Sequence, residues 1–205
     1  MGKSNIFDDN REMSIKGGQV KSSVTSLDWL GRYGMVLVRL IIGYLWITQL
    51  EWKLPPQFGC PADFAVSSSL NARTSGLCDW TGLMGVYSKM PLHAAFVNNV
   101  VIPNISWMGW LIFLMEAFIA VSLIFGLFTR LGAIVGFIQA VNLYIGLTAI
   151  PFEWYWTYGM LYTLHMVFFF VPPGRTLGVD AWLRPRLRAG AQQGSGLARL
   201  FYWLT

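Results

Sequence analysis

The chain has 205 residues, of which 55% are hydrophobic and 12% charged, with a formal net charge of +5. Soluble domains carry about 25% charged residues, so this composition excludes a large soluble catalytic domain. Crossing a hydrocarbon core of ~30 Å takes about 20 helical residues, and four such helices with their connections use the chain up.

Residues 1–26 are polar, contain Gly17-Gly18 and lack an apolar run. They read as a disordered tail on the cytoplasmic side. With no apolar core for a cleavable signal, the first spanning helix acts as an uncleaved signal anchor. Asp28 caps its entry and Arg32 marks the membrane interface. The first apolar segment, 32–54, carries Arg39 in its interior and ends in Gln49, Glu51, Trp52 and Lys53.

Residues 55–103 have loop chemistry, with Pro55-Pro56, Gly59-Cys60-Pro61, Asn71 and Pro91. Trp80, Met84, Val86, Tyr87, Phe96 and Val100 make the stretch too apolar for a free linker. A small folded cap is expected, with a short helix around 92–100. Both cysteines, Cys60 and Cys78, fall here. On the outer side they meet an oxidising compartment, where a disulfide is the default. Such a staple constrains the unfolded chain by about 3 kcal/mol. A redox-active pair is the alternative, but the C-x-x-C spacing that favours one is absent.

Three further apolar segments follow. Segment 104–127 carries Glu116, segment 131–150 carries Gln139 and Asn142, and segment 154–171 carries His165. The connections around Phe128-Thr129-Arg130 and Pro151-Phe152-Glu153 are so short that neighbouring helices must run antiparallel. Ser122, Gly126, Gly132 and Gly136 flank the first of them as small-xxx-small pairs suited to close packing. Pro172-Pro173-Gly174 ends the last segment. Residues 184–205 alternate arginines with Leu187, Leu197, Phe201 and Trp203, the pattern of an interfacial amphipathic helix.

The expected fold is therefore an all-α membrane protein. It is a four-transmembrane-helix bundle over 27–183, with a disulfide-stapled outer loop and an interfacial C-terminal tail. Eleven of the fifteen basic residues fall on one side, while Lys53, Arg73 and Lys89 fall on the other and Arg39 lies within. The positive-inside rule then puts both termini in the cytoplasm of a plasma (inner) membrane protein. The basic residues border the membrane and form no compact patch interleaved with aromatics, which excludes nucleic acid as a partner.

Each apolar segment brings a polar group toward mid-membrane: Arg39, Glu116, Gln139 with Asn142, and His165. A charge at bilayer centre costs at least about 2.5–3.5 kcal/mol, so an Arg39–Glu116 ion pair is expected inside the bundle. The polar side chains around it complete its hydrogen bonds. Arg39, Glu116 and His165 are the candidate catalytic layer, read against an internal clamp that only fixes packing. A second group gathers at the outer mouth, where Glu51, Trp52, Lys53 and Glu153 sit among Trp46, Trp107, Trp110, Trp154, Tyr155 and Trp156. These aromatics suit a membrane-interface belt or a pocket. Together with Gln139 and Asn142 they offer an apolar slot with donors for the carbonyls of a quinone. The sequence carries no metal-ligand cluster, covalent cofactor motif or Gly-rich phosphate loop. Any redox role uses a diffusible carrier or a cofactor on a partner.

Arg39-x3-Gly43 and Lys53, then Glu116 with Gly126-Leu127-Phe128-Thr129-Arg130, then Pro173-Gly174-Arg175-x4-Asp180 occur in that order. In this combination the chain resembles the DoxX/DoxD family of small four-helix membrane proteins over roughly 33–183. It is similar in particular to the DoxD-like membrane subunit of thiosulfate:quinone oxidoreductase. Pro172 stands where the family ending often has glycine, and the 55–103 loop is long for a simple DoxX protein. The resemblance implies a subunit that works with a second protein to pass electrons from thiosulfate to quinone. It makes Arg39 and Glu116 the buried pair and Lys53 the basic group at the mouth, with Arg175 and Asp180 as structural anchors. The alternative is an accessory subunit that stabilises a larger respiratory or photosynthetic complex.

Overall fold

A computed structural model describes residues 9–70 and 76–205, with side chains from Asp28 onward. Of the expected disordered tail 1–26, residues 1–8 lie outside the described residues, while 9–26 form the first part of helix α1. Eight α-helices follow in order among the described residues, with no strand. They are α1 (Asp9–Leu50), α2 (Leu77–Tyr87), α3 (Pro91–Phe96), α4 (Ile105–Phe125), α5 (Thr129–Leu147), α6 (Tyr155–Phe170), α7 (Val179–Gln192) and α8 (Gly196–Leu204).

Helix α1 buries Val36, Arg39, Ile42 and Trp46, a stripe spaced three and four residues apart. Its other faces expose Leu37, Leu40, Ile41 and Leu45. An exterior of this kind is stable in lipid and not in water. The buried stripe packs on α4, α5 packs between α4 and α6, and the shared core is Ile42, Trp46, Ile119, Leu123, Ala133 and Phe168. Both tight connections produce the expected antiparallel neighbours.

Among the described residues, three helical stretches are long and apolar enough to cross a membrane: Asp28–Leu50, Pro91–Phe125 and Thr129–Leu147. The second is longer than the sequence suggests. The short helix expected around 92–100 is α3 with the turns that join it to α4, through a π-turn at Val97–Val101 and a 3₁₀ turn at Ile102–Asn104. Pro103 lacks a backbone N–H, which breaks the regular ladder at this joint without ending the helix. Helix α6 has only 16 residues. That makes it about 24 Å long, short of a full crossing.

The outer loop folds as a cap. Cys60 and Cys78 are disulfide-bonded, so the staple exists. Fully buried Phe58 packs with Leu77, Cys78 and Val101 of the cap and with Ile105 and Met108 of α4. Helix α2 lies against α5, placing Leu83 on Leu147 and Ile150.

At the opposite end, the α4–α5 turn is locked from a distance. Gly126 adopts a left-handed conformation (φ 63°) and its N–H bonds Ser122 O, closing α4. Asp180, fully buried, accepts the Phe128 and Thr129 N–H groups at 2.7 and 2.8 Å and the Thr129 hydroxyl at 2.5 Å. A carboxylate thus caps the N-terminus of α5 from a position beyond α6 in sequence. Arg175 donates to Thr205 O at 3.0 and 2.6 Å and ties down the end of α8.

A buried ion pair beneath an apolar cavity

Lys53 lies in the turn that follows α1, its N–H bonded to Leu50 O at 3.2 Å. Its side chain bends back into the bundle until it is 5% exposed. There its ammonium pairs with Oε2 of Glu116, which is 2% exposed. The ammonium also sits 4.5 Å from the centre of the Trp52 ring, within cation–π range. The other Glu116 oxygen accepts from Gln139 Nε2 at 3.0 Å.

This arrangement corrects the expected Arg39–Glu116 pair. Arg39 is buried, but its Nη1 donates to Leu177 O at 2.6 Å and lies beside Gly126 and Gly178 at the turn end of the bundle. Glu116 stands ten residues up α4 from Gly126, a rise of about 15 Å. Its interior position in segment 32–54 suggests mid-membrane depth, but α1 extends past the end of its partners, so Arg39 lies level with the α4–α5 turn. Arg39 serves the α4–α5 turn. The expected mouth group Lys53 takes the partner role, since a flexible lysine stem can reach down from the far end of α1.

The pair forms the floor of a cavity of about 1020 Å³ lined by the helices and the cap. Its walls include Trp46, Trp52, Trp80, Met84, Val101, Met108, Leu143 and Leu161, and its polar lining includes Lys53, Glu116, Gln139, Asn142, Glu153 and Tyr158. That volume sits at the top of the usual range of about 300–1,000 Å³ for small-molecule sites, which are mostly apolar with a few placed polar groups. Among the described residues there is no His/Cys/Asp/Glu cluster able to hold a metal ion.

The other expected site residues separate into three positions. Gln139, Asn142, Trp52 and Glu153 join the cavity. Glu153 accepts the Tyr158 hydroxyl at 2.8 Å, which fixes the carboxylate at the rim. Glu51 is exposed and lies outside the cavity lining, because it precedes the inward turn of Lys53. His165 is fully buried behind the cavity wall. Its Nε2 accepts the Trp46 indole N–H at 3.1 Å, and Nδ1–H donates to Leu161 O at 2.8 Å. Both ring nitrogens of this neutral imidazole are used, so His165 is a packing residue and not part of the ion-pair layer.

Trp46 is likewise a core residue, 2% exposed, and leaves the expected belt. Trp107, Trp110, Trp154, Tyr155 and Trp156 are exposed, as a belt requires. Gly136 exists for His165: a Cβ there would lie 2.0 Å from His165 Cδ2.

Sequence reasoning missed His93. Its Nε2 lies 2.9 Å from Asn142 Oδ1 and its Nδ1 lies 2.8 Å from Ser88 Oγ. Asn142 Nδ2 in turn donates to Gln139 Oε1 at 3.4 Å. A lone histidine on a six-residue helix gives no periodic signal, and only the return of α3 over α5 brings it to the site.

The fold and the site define a helical membrane protein with a lipid-facing exterior and a capped internal cavity. Residues 74–148 match the model of the DoxX family, named DoxX, which makes the chain DoxX-like from α2 through α5. That segment includes Glu116, the Gly126–Arg130 turn, Gln139, Asn142 and His93, whereas Arg39, Lys53 and the Arg175–Asp180 ending lie outside it. No curated protein and no solved structure matches the chain.

Proposed function

We propose that the protein binds an apolar small molecule carrying a carbonyl oxygen, of which a quinone is the best chemical fit, and serves as the membrane subunit of a quinone-linked oxidoreductase. The observation that carries this reading is the Lys53–Glu116–Gln139 floor beneath an apolar cavity of about 1020 Å³. An ammonium and an amide offer hydrogen bonds to a carbonyl, and the apolar walls take a ring and its chain. Thiosulfate as electron donor follows from the DoxD-like resemblance, and the electrons then come through a cofactor on a second subunit. In the membrane, α6 is the fourth crossing, its short length met by local thinning of the bilayer, both termini face the cytoplasm of the plasma membrane, and α7 and α8 lie along the inner leaflet. Trp182, Leu197, Leu200 and Trp203 are exposed on these last helices and suit that interface.

Purification in mild detergent, with extraction and mass analysis of bound lipid-like molecules, tests the reading. A quinone recovered with wild-type protein, and lost from Lys53→Met and from Glu116→Gln variants that keep their fold, is the expected result. The accessory-subunit alternative predicts a large complex that co-purifies while the cavity yields no quinone. It draws on the exposed aromatic surface of the helices.

A further inference from the structure

We infer that His93, acting through Asn142, is a positioning residue that sets the hydrogen-bond polarity of the cavity, making it a reader of acceptor atoms. The inference rests on the cavity being the ligand site proposed above and concerns what selects the ligand there.

Glu116 fixes the direction of the hydrogen bonds at the cavity floor. An ionised carboxylate only accepts, so Gln139 must turn its nitrogen toward Oε1, as observed at 3.0 Å. The Gln139 oxygen then faces Asn142, which must present its nitrogen, as it does at 3.4 Å. The Asn142 oxygen is left for His93, so His93 Nε2 must carry a proton to donate across 2.9 Å. With Nε2 protonated, neutral His93 accepts at Nδ1 from the Ser88 hydroxyl at 2.8 Å. Every donor from Ser88 to Gln139 points the same way, toward the carboxylate.

Gln139 and Asn142 carry a second N–H each, and the Lys53 ammonium carries three in all. All three residues line the cavity. The polar floor therefore offers donors in excess. An oxygen that only accepts, such as a quinone carbonyl, is satisfied there, whereas a hydroxyl brings a donor that competes with those already present. Reversing the Asn142 amide would set its oxygen against the Gln139 oxygen that Glu116 holds in place, breaking the line and adding an acceptor at the floor. His93 closes the far end of the line that Glu116 begins and holds Asn142 in its donating orientation.

The device holds in both protonation states of His93. Protonation adds an N–H at Nδ1, and Ser88 Oγ can accept it while donating to Met90 O at 3.3 Å. Nε2–H remains on Asn142 throughout. The charged or titratable groups on the elements packed against α3 are Asp79 and Tyr87 on α2, Tyr144 and Arg130 on α5, with Arg130 at the first turn of α5 bonded to Phe169 O and Trp203 O, and Lys89 in the turn, whose ammonium lies 5.3 Å from the Tyr144 ring centre. Lys89 sits closest in sequence to the Ser88–His93 contact and is directed to Tyr144.

The experiment uses full-length protein in detergent micelles and reads binding by quenching of tryptophan fluorescence. The probes are a short-chain benzoquinone and its hydroquinone, the latter kept reduced. Wild type should bind the quinone at least about tenfold more tightly, a ratio equivalent to about 1.4 kcal/mol, and the ratio should be flat between pH 5.5 and pH 8. His93→Leu should bring the ratio toward one, while His93→Gln, which keeps an N–H at similar reach, should restore it. Nitrogen-15 NMR of histidine-labelled protein should show neutral His93 in the Nε2–H form, a readout that needs no ligand. An Nδ1–H tautomer, or an unchanged ratio in folded His93→Leu, overturns the inference and leaves the quinone reading standing. Wild type that binds neither probe overturns both.

Discussion

A buried charge pair holds each partner hostage to the other. Removing one partner of the Lys53–Glu116 pair leaves an uncompensated charge at a site where both side chains are at most 6% exposed. Lys53→Met should therefore destabilise the folded protein by about 3–5 kcal/mol. The Lys53→Met/Glu116→Gln double variant should recover most of that loss, because neither residue then requires a counter-charge. Thermal unfolding of the four proteins as a double-mutant cycle measures this, and equal losses in single and double variants would contradict it. Asp180 is a second single residue of large effect. Asp180→Ala takes the acceptor from two backbone N–H groups and a hydroxyl at once and removes the carboxylate nearest Arg39 in effect. A loss of about 1–3 kcal/mol is expected, with the α4–α5 turn becoming the first site of amide hydrogen exchange.

Pairs of helices meet where a small residue faces a large one, and the α5–α6 contact shows it best. Gly136→Ala would put a methyl group into the His165 ring, which cannot retreat while Trp46 holds its Nε2. The expected cost is about 1–3 kcal/mol, accompanied by a changed Trp46 signal in near-ultraviolet circular dichroism. A substitution that leaves both stability and that signal untouched would show that the contact is looser than the structure has it. At this scale the sequence was readable where a signal was periodic or covalent. Apolar runs located the long helices, short turns fixed their antiparallel order, and Cys60 and Cys78 were legible as a bridge. Charge pairing was not legible in the same way. Counting residues gives height along one helix, but the zero of that count depends on where its neighbours begin. Arg39 and Lys53 therefore exchanged roles. His93 was invisible for a related reason: its partner Asn142 is 49 residues away, joined by a fold of the cap that no local pattern announces.

The molecule as a whole is a bundle closed at both ends by different means. At one end Asp180 and Arg39 gather the α4–α5 turn and the chain after α6. At the other, the disulfide-bonded cap roofs the cavity. The residues of the family-like signature divide between these ends: the Gly-Leu-Phe-Thr-Arg turn and Asp180 build the first, while Glu116 and Lys53 serve the second. Reduction of Cys60–Cys78 should lower stability by about 3 kcal/mol and speed proteolysis within the cap before the helices. Melting curves with and without reductant, followed by mapping of the first cleavage site, check this. Cleavage first in the α4–α5 turn would place the weak point at the wrong end.

The unequal helices have one more consequence, and it concerns the bilayer. On one side the protein presents the 35-residue arm Pro91–Phe125, and against α5 it presents the 16 residues of α6. Lipid next to these two flanks is asked for different hydrocarbon thicknesses. The surrounding film must thin beside α6 or the whole bundle must lean, each at a fraction of a kcal/mol per Å of mismatch. A leaning bundle lowers one rim of its cavity toward the acyl chains, so acyl-chain length becomes a control on how easily a lipid-soluble molecule gets in.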